Sequence, residues 1–207
     1  MGCIVADVEI IIYDGNHIVL AETQPAHSFI QNFTRDLHSG FTGINLGRLN
    51  LTGSPRCALY AYCSTITSGY SVDGGFGFRH QSGVGGSAGI VVGSGDTPFS
   101  VDQSDLASTI QHGNGAGQLY RSALIFTNRA ISPDEQSVSM AFAREFANNS
   151  DGEVTVREVG LIGAPWYEGS LNHRYDHHLY ARDVLESPIV VAPGQQLKID
   201  YVIRTVL

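Results

Sequence analysis

The sequence has little charge, few basic residues and no long apolar run, and these shortages exclude several classes of protein. Charged residues make up 15% of the 207 residues, against about a quarter in ordinary soluble domains. With 24 glycines as well, this composition favours a protein whose surface is partly covered by partners. Only 12 Lys and Arg stand against 20 Asp and Glu, so we expect no binding to nucleic-acid phosphates.

The apolar and cysteine content indicates a protein of a reducing compartment and not of a membrane. No apolar run approaches the roughly 20 residues that a membrane helix needs. The first residues lack the basic start and long apolar region of a signal peptide. The three cysteines, Cys3, Cys57 and Cys63, form neither an even disulfide framework nor the paired knuckles of a zinc site. We therefore expect a protein made and assembled in the cytoplasm, without a membrane partner.

Residues 1–67 predict strands and one helix that pack on the rest of the chain. Apolar residues alternate over Val8–Tyr13, Asp14-Gly15 is a strong turn signal, and residues 18–21 can return as a hairpin partner. Residues 28–38 predict a helix, because their apolar side chains recur every fourth position. That stripe consists of Phe29, Phe33 and Leu37. Residues 58–67 predict a further strand.

Residues 68–95 are dominated by Gly and Ser and predict a long loop or arm around one short strand, Gly89–Val92. So long a connection is unusual in a compact domain unless it is functional. In an assembly, an arm of this composition often becomes ordered only against a neighbour. The candidate contact residues in the arm are Gly74, Gly75, Phe76 and Phe78.

Residues 96–207 predict a β-sandwich that forms one compact unit with the N-terminal part. A short helix is expected at 102–110, with Leu106 and Ile110 facing inward. The apolar alternation changes phase between Val156 and Val159, as a bulge would produce. Strands are predicted at 119–128, 138–146, 154–162, 179–185 and 197–207. The predicted fold is mainly β, a β-sandwich or jelly roll with one or two short helices and the long Gly-rich arm.

Pro188 is expected to end the strand at 179–185, and Pro193-Gly194 to form the turn before the last strand. Glu158 and Asp183 are carboxylates set in apolar strands. Since Arg157, Arg174 and Arg182 are near in sequence, we interpret both carboxylates as members of buried ion pairs and not as a catalytic acid and base.

A polar segment near the C-terminus carries the candidates for a metal site, His173, Asp176, His177 and His178. Histidines with a carboxylate can bind zinc, but a polar loop that holds several histidines accounts for the same pattern, and we favour that interpretation. The turn at 93–96 lacks the Lys-Ser/Thr of a nucleotide-binding loop. We therefore expect no metal, no cofactor and no catalytic residue.

Trp166, Tyr167 and Tyr175 are aromatic residues in a turn-rich segment between the last strands. Exposed aromatic side chains on loops often bind sugars or partner proteins, so these three are candidate contact residues. They could equally cover one end of the sandwich, and the sequence leaves both interpretations open.

Three segments resemble a recurrent pattern in structural proteins of tailed-bacteriophage particles. They read GIVVGSGDTPFSVDQSDLASTIQHGNGAG from Gly89, VTVREVGLIG from Val154, and LYARDVLESPIVVAPGQQLKIDYVI from Leu179. The resemblance covers the chain from Gly89 onward. It implies a non-enzymatic component of the virion, either a head decoration protein, a head–tail connector or a tail protein. Such a protein would act through self-association, for instance as a trimer, and through contacts with other virion proteins.

Two other functions remain open at this stage. One is a receptor- or glycan-binding module that uses the aromatic residues and the His-rich segment as its contact surface. The other is an enzyme, either a jelly-roll hydrolase or a metal-dependent protein.

Overall fold

Two main antiparallel sheets contain most of the chain that the computed structural model describes. The described residues are 3–26, 29, 33, 48–49, 55–56, 83–132, 137–164, 166–168, 173–175 and 177–206. The sheets face each other as in a sandwich, which confirms the predicted mainly β fold. The expected helix at 28–38 lies outside the described residues except for Phe29 and Phe33, whose rings stack 4.1 Å apart. The predicted strand at 58–67 also lies outside them.

The large sheet has the strand order β2-β1-β13-β8-β6, and β7 also pairs with β8. Its strands are β1 (Cys3–Asp14), β2 (His17–Ala26), β6 (Tyr120–Arg121), β7 (Ile125–Ser132), β8 (Ser137–Ala147) and β13 (Gln196–Val206). The first hairpin and its turn at Asp14-Gly15 are confirmed. Because β1 pairs with β13 from end to end, the N-terminal strands are part of the same sheet as the C-terminal ones.

The small sheet has the order β12-β9-β5. Its strands are β5 (Gly89–Gly93), β9 (Val154–Gly163) and β12 (His178–Val191). Two short hairpins lie outside both sheets, β3 (Arg48–Leu49) with β4 (Pro55–Arg56), and β10 (Trp166–Glu168) with β11 (His173–Tyr175). The short strand expected within the Gly-rich arm is β5, and it is completely buried.

The core lies between the facing sides of the two sheets, where period-2 alternation places the apolar residues. The large sheet contributes Ala6, Val8, Ile10, Ile12, Phe142, Phe146, Leu197, Ile199, Tyr201 and Ile203. The small sheet contributes Val154, Val156, Val159, Leu161, Leu185, Ile189 and Val191. Burying each large aliphatic side chain stabilises the fold by about 1.5–3 kcal/mol, so this interface holds the sheets together.

The phase change predicted in β9 is confirmed. The register between β12 and β9 shifts between Val184 and Ile189, opposite Val156 and Glu158, and residues on both sides of the shift enter one core. The expectation that Pro188 ends a strand is wrong, because β12 continues through it to Val191. Its missing N–H costs no ladder bond, since residues 185–188 do not pair with β9 there.

The single strand predicted at 119–128 is two strands, β6 and β7, separated by residues 122–124. The backbone N–H of Ser122 donates to the Glu145 carbonyl at 2.9 Å, and its hydroxyl accepts from the Glu145 N–H at 3.0 Å. Leu124 turns into the core just before β7 begins. The Ser122 hydroxyl thus accepts the bond from Glu145 that a backbone carbonyl would accept in a continuous strand.

The helix predicted at 102–110 is absent, and this segment crosses the outer side of the small sheet as an irregular loop. Leu106 and Ile110 are buried as expected, Ile110 in the core between the sheets and Leu106 against the outer side of the small sheet. The backbone N–H groups of Ala107 and Ser108 donate to the Glu158 carboxylate at 3.1 and 2.8 Å. These groups are therefore directed at a distant side chain and not at carbonyls one turn back, as a helix would require.

Glu158 fixes this loop to the outer side of the small sheet. Its carboxylate is fully buried and also accepts bonds from the Gly95 N–H at 3.1 Å and the Arg182 Nε at 2.5 Å. A Cβ atom on Gly93 or Gly95 would overlap the Glu158 side chain, so the glycines of the 93–96 turn make room for a carboxylate. The buried ion pair predicted for Glu158 is confirmed, and its partner among the three candidate arginines is Arg182.

We expect Glu158→Gln to destabilise the protein by about 3–5 kcal/mol, because it leaves the buried Arg182 guanidinium without its charged partner. Urea unfolding followed by circular dichroism measures the loss. Glu153→Gln, at an exposed position in the turn before β9, is the matched control and should change stability by less than about 0.5 kcal/mol. Equal stability of the two variants would contradict the structural role of Glu158.

Asp183 and Tyr201 form a second buried polar contact, between the two sheets. The Tyr201 hydroxyl donates to Asp183 Oδ2 at 2.9 Å. Burial raises the pKa of the Tyr201 phenol well above its usual value, and the neighbouring Asp183 carboxylate raises it further. The phenol is therefore held in its neutral form by the fold.

This contact predicts a specific loss of stability in alkali. The folded chain keeps the Tyr201 proton at pH values where the unfolded chain releases it, so the contribution is complete below a pH of about 10. It declines as the pH rises further. In Tyr201→Phe that part of the decline should be missing, as measured by urea unfolding from about pH 8 to about pH 11. Tyr120→Phe, at an exposed position, should keep the wild-type decline, and identical slopes in all three proteins would refute the assignment.

Candidate functional site

The apolar patch is a set of three exposed side chains on the side of the large sheet that faces the core. It consists of Ile4, Phe126 and Met140, which are 41%, 46% and 48% exposed. Met140 lies opposite the buried Ile203, and Phe126 lies opposite the buried Phe142, so all three side chains point to the inner side.

Met140 thus lies on the face predicted from the alternation of β8, but it is not covered. Phe126 packs edge-on against Phe142 with ring centroids 5.5 Å apart, which holds its ring at the border of the core. Inward-facing apolar residues at the rim of a sandwich, exposed to solvent, are typical of a surface that another protein covers.

The strand β2 is a second exposed feature, at the end of the large sheet's strand order. Most of its residues are exposed on both faces, including Ile18 at 59% and Val19 at 53%. An end strand with exposed β-branched side chains readily pairs with another chain.

The aromatic residues predicted as contacts lie on the β10–β11 hairpin. Its register pairs Trp166 with Tyr175, and Tyr167 with Arg174. Trp166 and Tyr175 therefore occupy one cross-strand position, which the sequence could not show. The other predicted contact residues, Gly74, Gly75, Phe76 and Phe78, lie outside the described residues.

The candidate metal ligands lie in two strands and the connection between them, so the expectation of a polar loop is wrong for His173 and His178. His173 is in β11, His177 follows that strand, and His178 begins β12, where it is buried. Asp176 lies outside the described residues. Over the ranges that the structure describes, no group of three His, Cys, Asp or Glu side chains is arranged to hold a metal ion. In the same ranges, no helix is long and apolar enough to cross a membrane.

Two adjoining surface hollows, of about 370 and 250 Å³, lie between β2 and β12. They share Gln24 and Glu186, and the Glu186 N–H donates to Gln24 Oε1 at 3.2 Å. The first hollow is also lined by Glu22 and the second by Phe99. Their walls join the edge of the large sheet to the irregular segment of β12.

Ser87 forms the most unusual polar contact among the described residues. Its Oγ lies 2.6 Å from Nε2 of His177, and both residues are half-buried. Ser87 is not among the residues expected from the sequence, although Gly85-Gly86-Ser87-Ala88-Gly89 has the G-x-S-x-G spacing of serine hydrolase nucleophiles. Here the serine precedes a strand, whereas in those enzymes it lies between a strand and a helix.

Two buried arginines meet on the carbonyl beside this serine. Arg121 Nη1 donates to the Gly86 carbonyl at 2.9 Å, and Arg144 Nη1 donates to the same oxygen at 3.3 Å. Burial lowers the pKa of both guanidinium groups, and the charge of Arg121 lowers that of Arg144 further. Two like charges are thus held against one peptide oxygen at the cost of mutual repulsion.

The loop that carries Gly86 is fixed by its own turn and by His112. The Gly86 N–H donates to the Gly83 carbonyl at 2.8 Å, and Gly85 has a φ of 69°. A Cβ atom on Gly85 would overlap the His112 ring. The His112 Nδ1 in turn accepts the Arg121 N–H at 2.9 Å, so the loop and the β6 strand are locked together.

Comparisons with protein-family models, with curated proteins and with solved structures find no match to this chain. The fold and the surfaces described above are therefore the basis for a functional interpretation, together with the resemblance of the segments from Gly89 onward.

Proposed function

We propose that the protein is a structural component of a tailed-phage particle, a head decoration, connector or tail protein that associates with itself and with other virion proteins. The observation that carries the proposal is the exposure of Ile4, Phe126 and Met140, the apolar patch, although they lie on the core-facing side of the large sheet. A second copy of the chain is the occupant that we assign to it.

Three further features support this role. The resemblance to phage virion proteins extends over β5, β9, β12 and β13. The strand β2 offers an exposed sheet edge. The net charge of −8 is spread over a chain with only 15% charged residues, and several of those are buried in the fold. A surface low in charge is expected where subunits pack together.

The patch predicts the oligomeric state. The double variant Phe126→Ser, Met140→Ser should weaken self-association on the order of 100-fold, because two apolar side chains no longer leave water on assembly. Sedimentation over a range of concentrations measures the change. Val101→Ser, at an exposed loop position away from the patch, is the control. A wild-type chain that stays monomeric, or a double variant that associates like the wild type, would remove the patch from the proposal.

The place in the particle is tested on virions directly. In gradient-purified particles from the source culture, quantitative mass spectrometry should find this chain in a fixed copy number relative to the major capsid protein. A high ratio is expected for a shell decoration protein, and a low one for a connector or tail ring. Abundance in the lysate together with absence from particles would refute the structural role.

A further inference from the structure

We propose that this chain cleaves its own backbone at the Gly86–Ser87 peptide bond. Ser87 is the nucleophile and His177 is its general base. The guanidinium groups of Arg121 and Arg144 stabilise the oxyanion on the Gly86 carbonyl. The inference goes beyond the proposed structural role and does not depend on it.

The nucleophile and the base are in hydrogen-bond contact. The Ser87 Oγ to His177 Nε2 distance of 2.6 Å lies in the range that defines an activated serine. With the ring proton on Nδ1, Nε2 accepts the hydroxyl proton, so the serine oxygen gains nucleophilic character as it approaches a carbonyl. The nearest peptide carbonyl along the chain is that of Gly86, directly before Ser87.

The carbonyl is the one that the two arginines share. A neutral carbonyl gives two buried guanidinium groups only weak compensation, whereas a tetrahedral intermediate places a full negative charge on the same oxygen. Donors at 2.9 and 3.3 Å are already in position when that charge develops. They therefore stabilise the transition state more than the ground state, which is the condition for catalysis.

The reaction balances without an added oxidant or cofactor. The Ser87 proton passes to His177 Nε2 while Oγ bonds to the Gly86 carbonyl carbon. The tetrahedral intermediate then collapses, the bond from that carbon to the Ser87 nitrogen breaks, and His177 returns the proton to the leaving amine. An ester now joins Gly86 to Ser87 Oγ, and one water molecule hydrolyses it to a free carboxylate and a free hydroxyl.

The two fragments should stay bound to each other in one folded unit. Residues 1–86 include β1, which pairs with β13 of residues 87–207 over eleven residue pairs. The core between them is also unbroken by the cut. Cleavage would therefore be invisible in a native measurement and appear only after denaturation.

The test is mass spectrometry of the purified full chain under denaturing conditions, over several days and with or without hydroxylamine. We expect two fragments, 1–86 and 87–207, whose masses sum to the intact chain plus one water. Hydroxylamine should accelerate their release, because it attacks the ester; it leaves residues 1–86 as the hydroxamate, so the two masses then sum to the intact chain plus one hydroxylamine. Ser87→Ala should give no fragments, and His177→Ala should slow cleavage by about 10²–10⁴-fold. Arg121→Gln should slow it by about 100-fold.

Ser94→Ala is the matched control, because Gly93-Ser94 is a second Gly–Ser bond, and the Ser94 hydroxyl donates to Ser108 Oγ and not to a histidine among the described residues. It should cleave like the wild type. Circular dichroism of each variant separates lost chemistry from lost folding, and Ser87→Cys, which keeps a nucleophile, should still cleave. A wild-type chain that stays intact in hydroxylamine, or fragments that persist in folded Ser87→Ala, would overturn the proposal.

Discussion

The path of the loop 95–108 on the outer side of the small sheet depends on the bonds that the buried Glu158 carboxylate accepts. An ionised carboxylate in the middle of a central strand would cost several kcal/mol unless charge and hydrogen bonds compensate it. Here four donors do so: Arg182 from the neighbouring strand, and the backbone N–H groups of Gly95, Ala107 and Ser108. The path of residues 95–108 follows from this requirement, since the loop must bring three amides to one point. This path also packs Leu106 against the apolar outer side of the small sheet.

The buried arginines perform the complementary task for backbone carbonyls. Arg121 and Arg144 donate to the carbonyls of Gly86, Ile90 and Ile110, of which Ile90 lies in β5 and the other two lie outside the strands. A chain with few charged residues thus uses several of them inside the fold, where each satisfies backbone groups from more than one segment. The same two arginines place positive charge beside Ser87. Their bonds to the Gly86 carbonyl therefore both fix the loop and polarise the Gly86–Ser87 peptide bond.

How far the sequence predicts this structure depends on the range of the interaction that decides each element. The strands β8 and β13 are readable because alternation is local, and the phase change in β9 is visible in its own residues. The segment 102–110 is not, because its amides bind a carboxylate about fifty positions later, and capping signals carry no information on that. The prediction that Pro188 ends a strand fails for a related reason. A proline ends a strand only where the ladder needs a backbone N–H at that position, and residues 185–188 have no partner in β9. The Ser87–His177 contact, ninety positions apart, appears only when β5 and β12 lie on either side of β9.

The exposed patch and the polarised peptide bond are linked through the connection between the sheets. The segment from β2 to β5 is the first crossing of the chain from the large sheet to the small one. A cut at its end would remove that covalent link and leave both sheets held by the shared core and by the β1–β13 ladder. In the uncut chain, residues between β2 and β5 are restrained at both ends. After a cut, the new end at Gly86 keeps its bonds to Arg121 and Arg144, because the carbonyl that accepts them lies on the N-terminal side of the cut. Association through the patch and cleavage of the peptide bond would then be separable steps, with the second irreversible because it consumes a peptide bond.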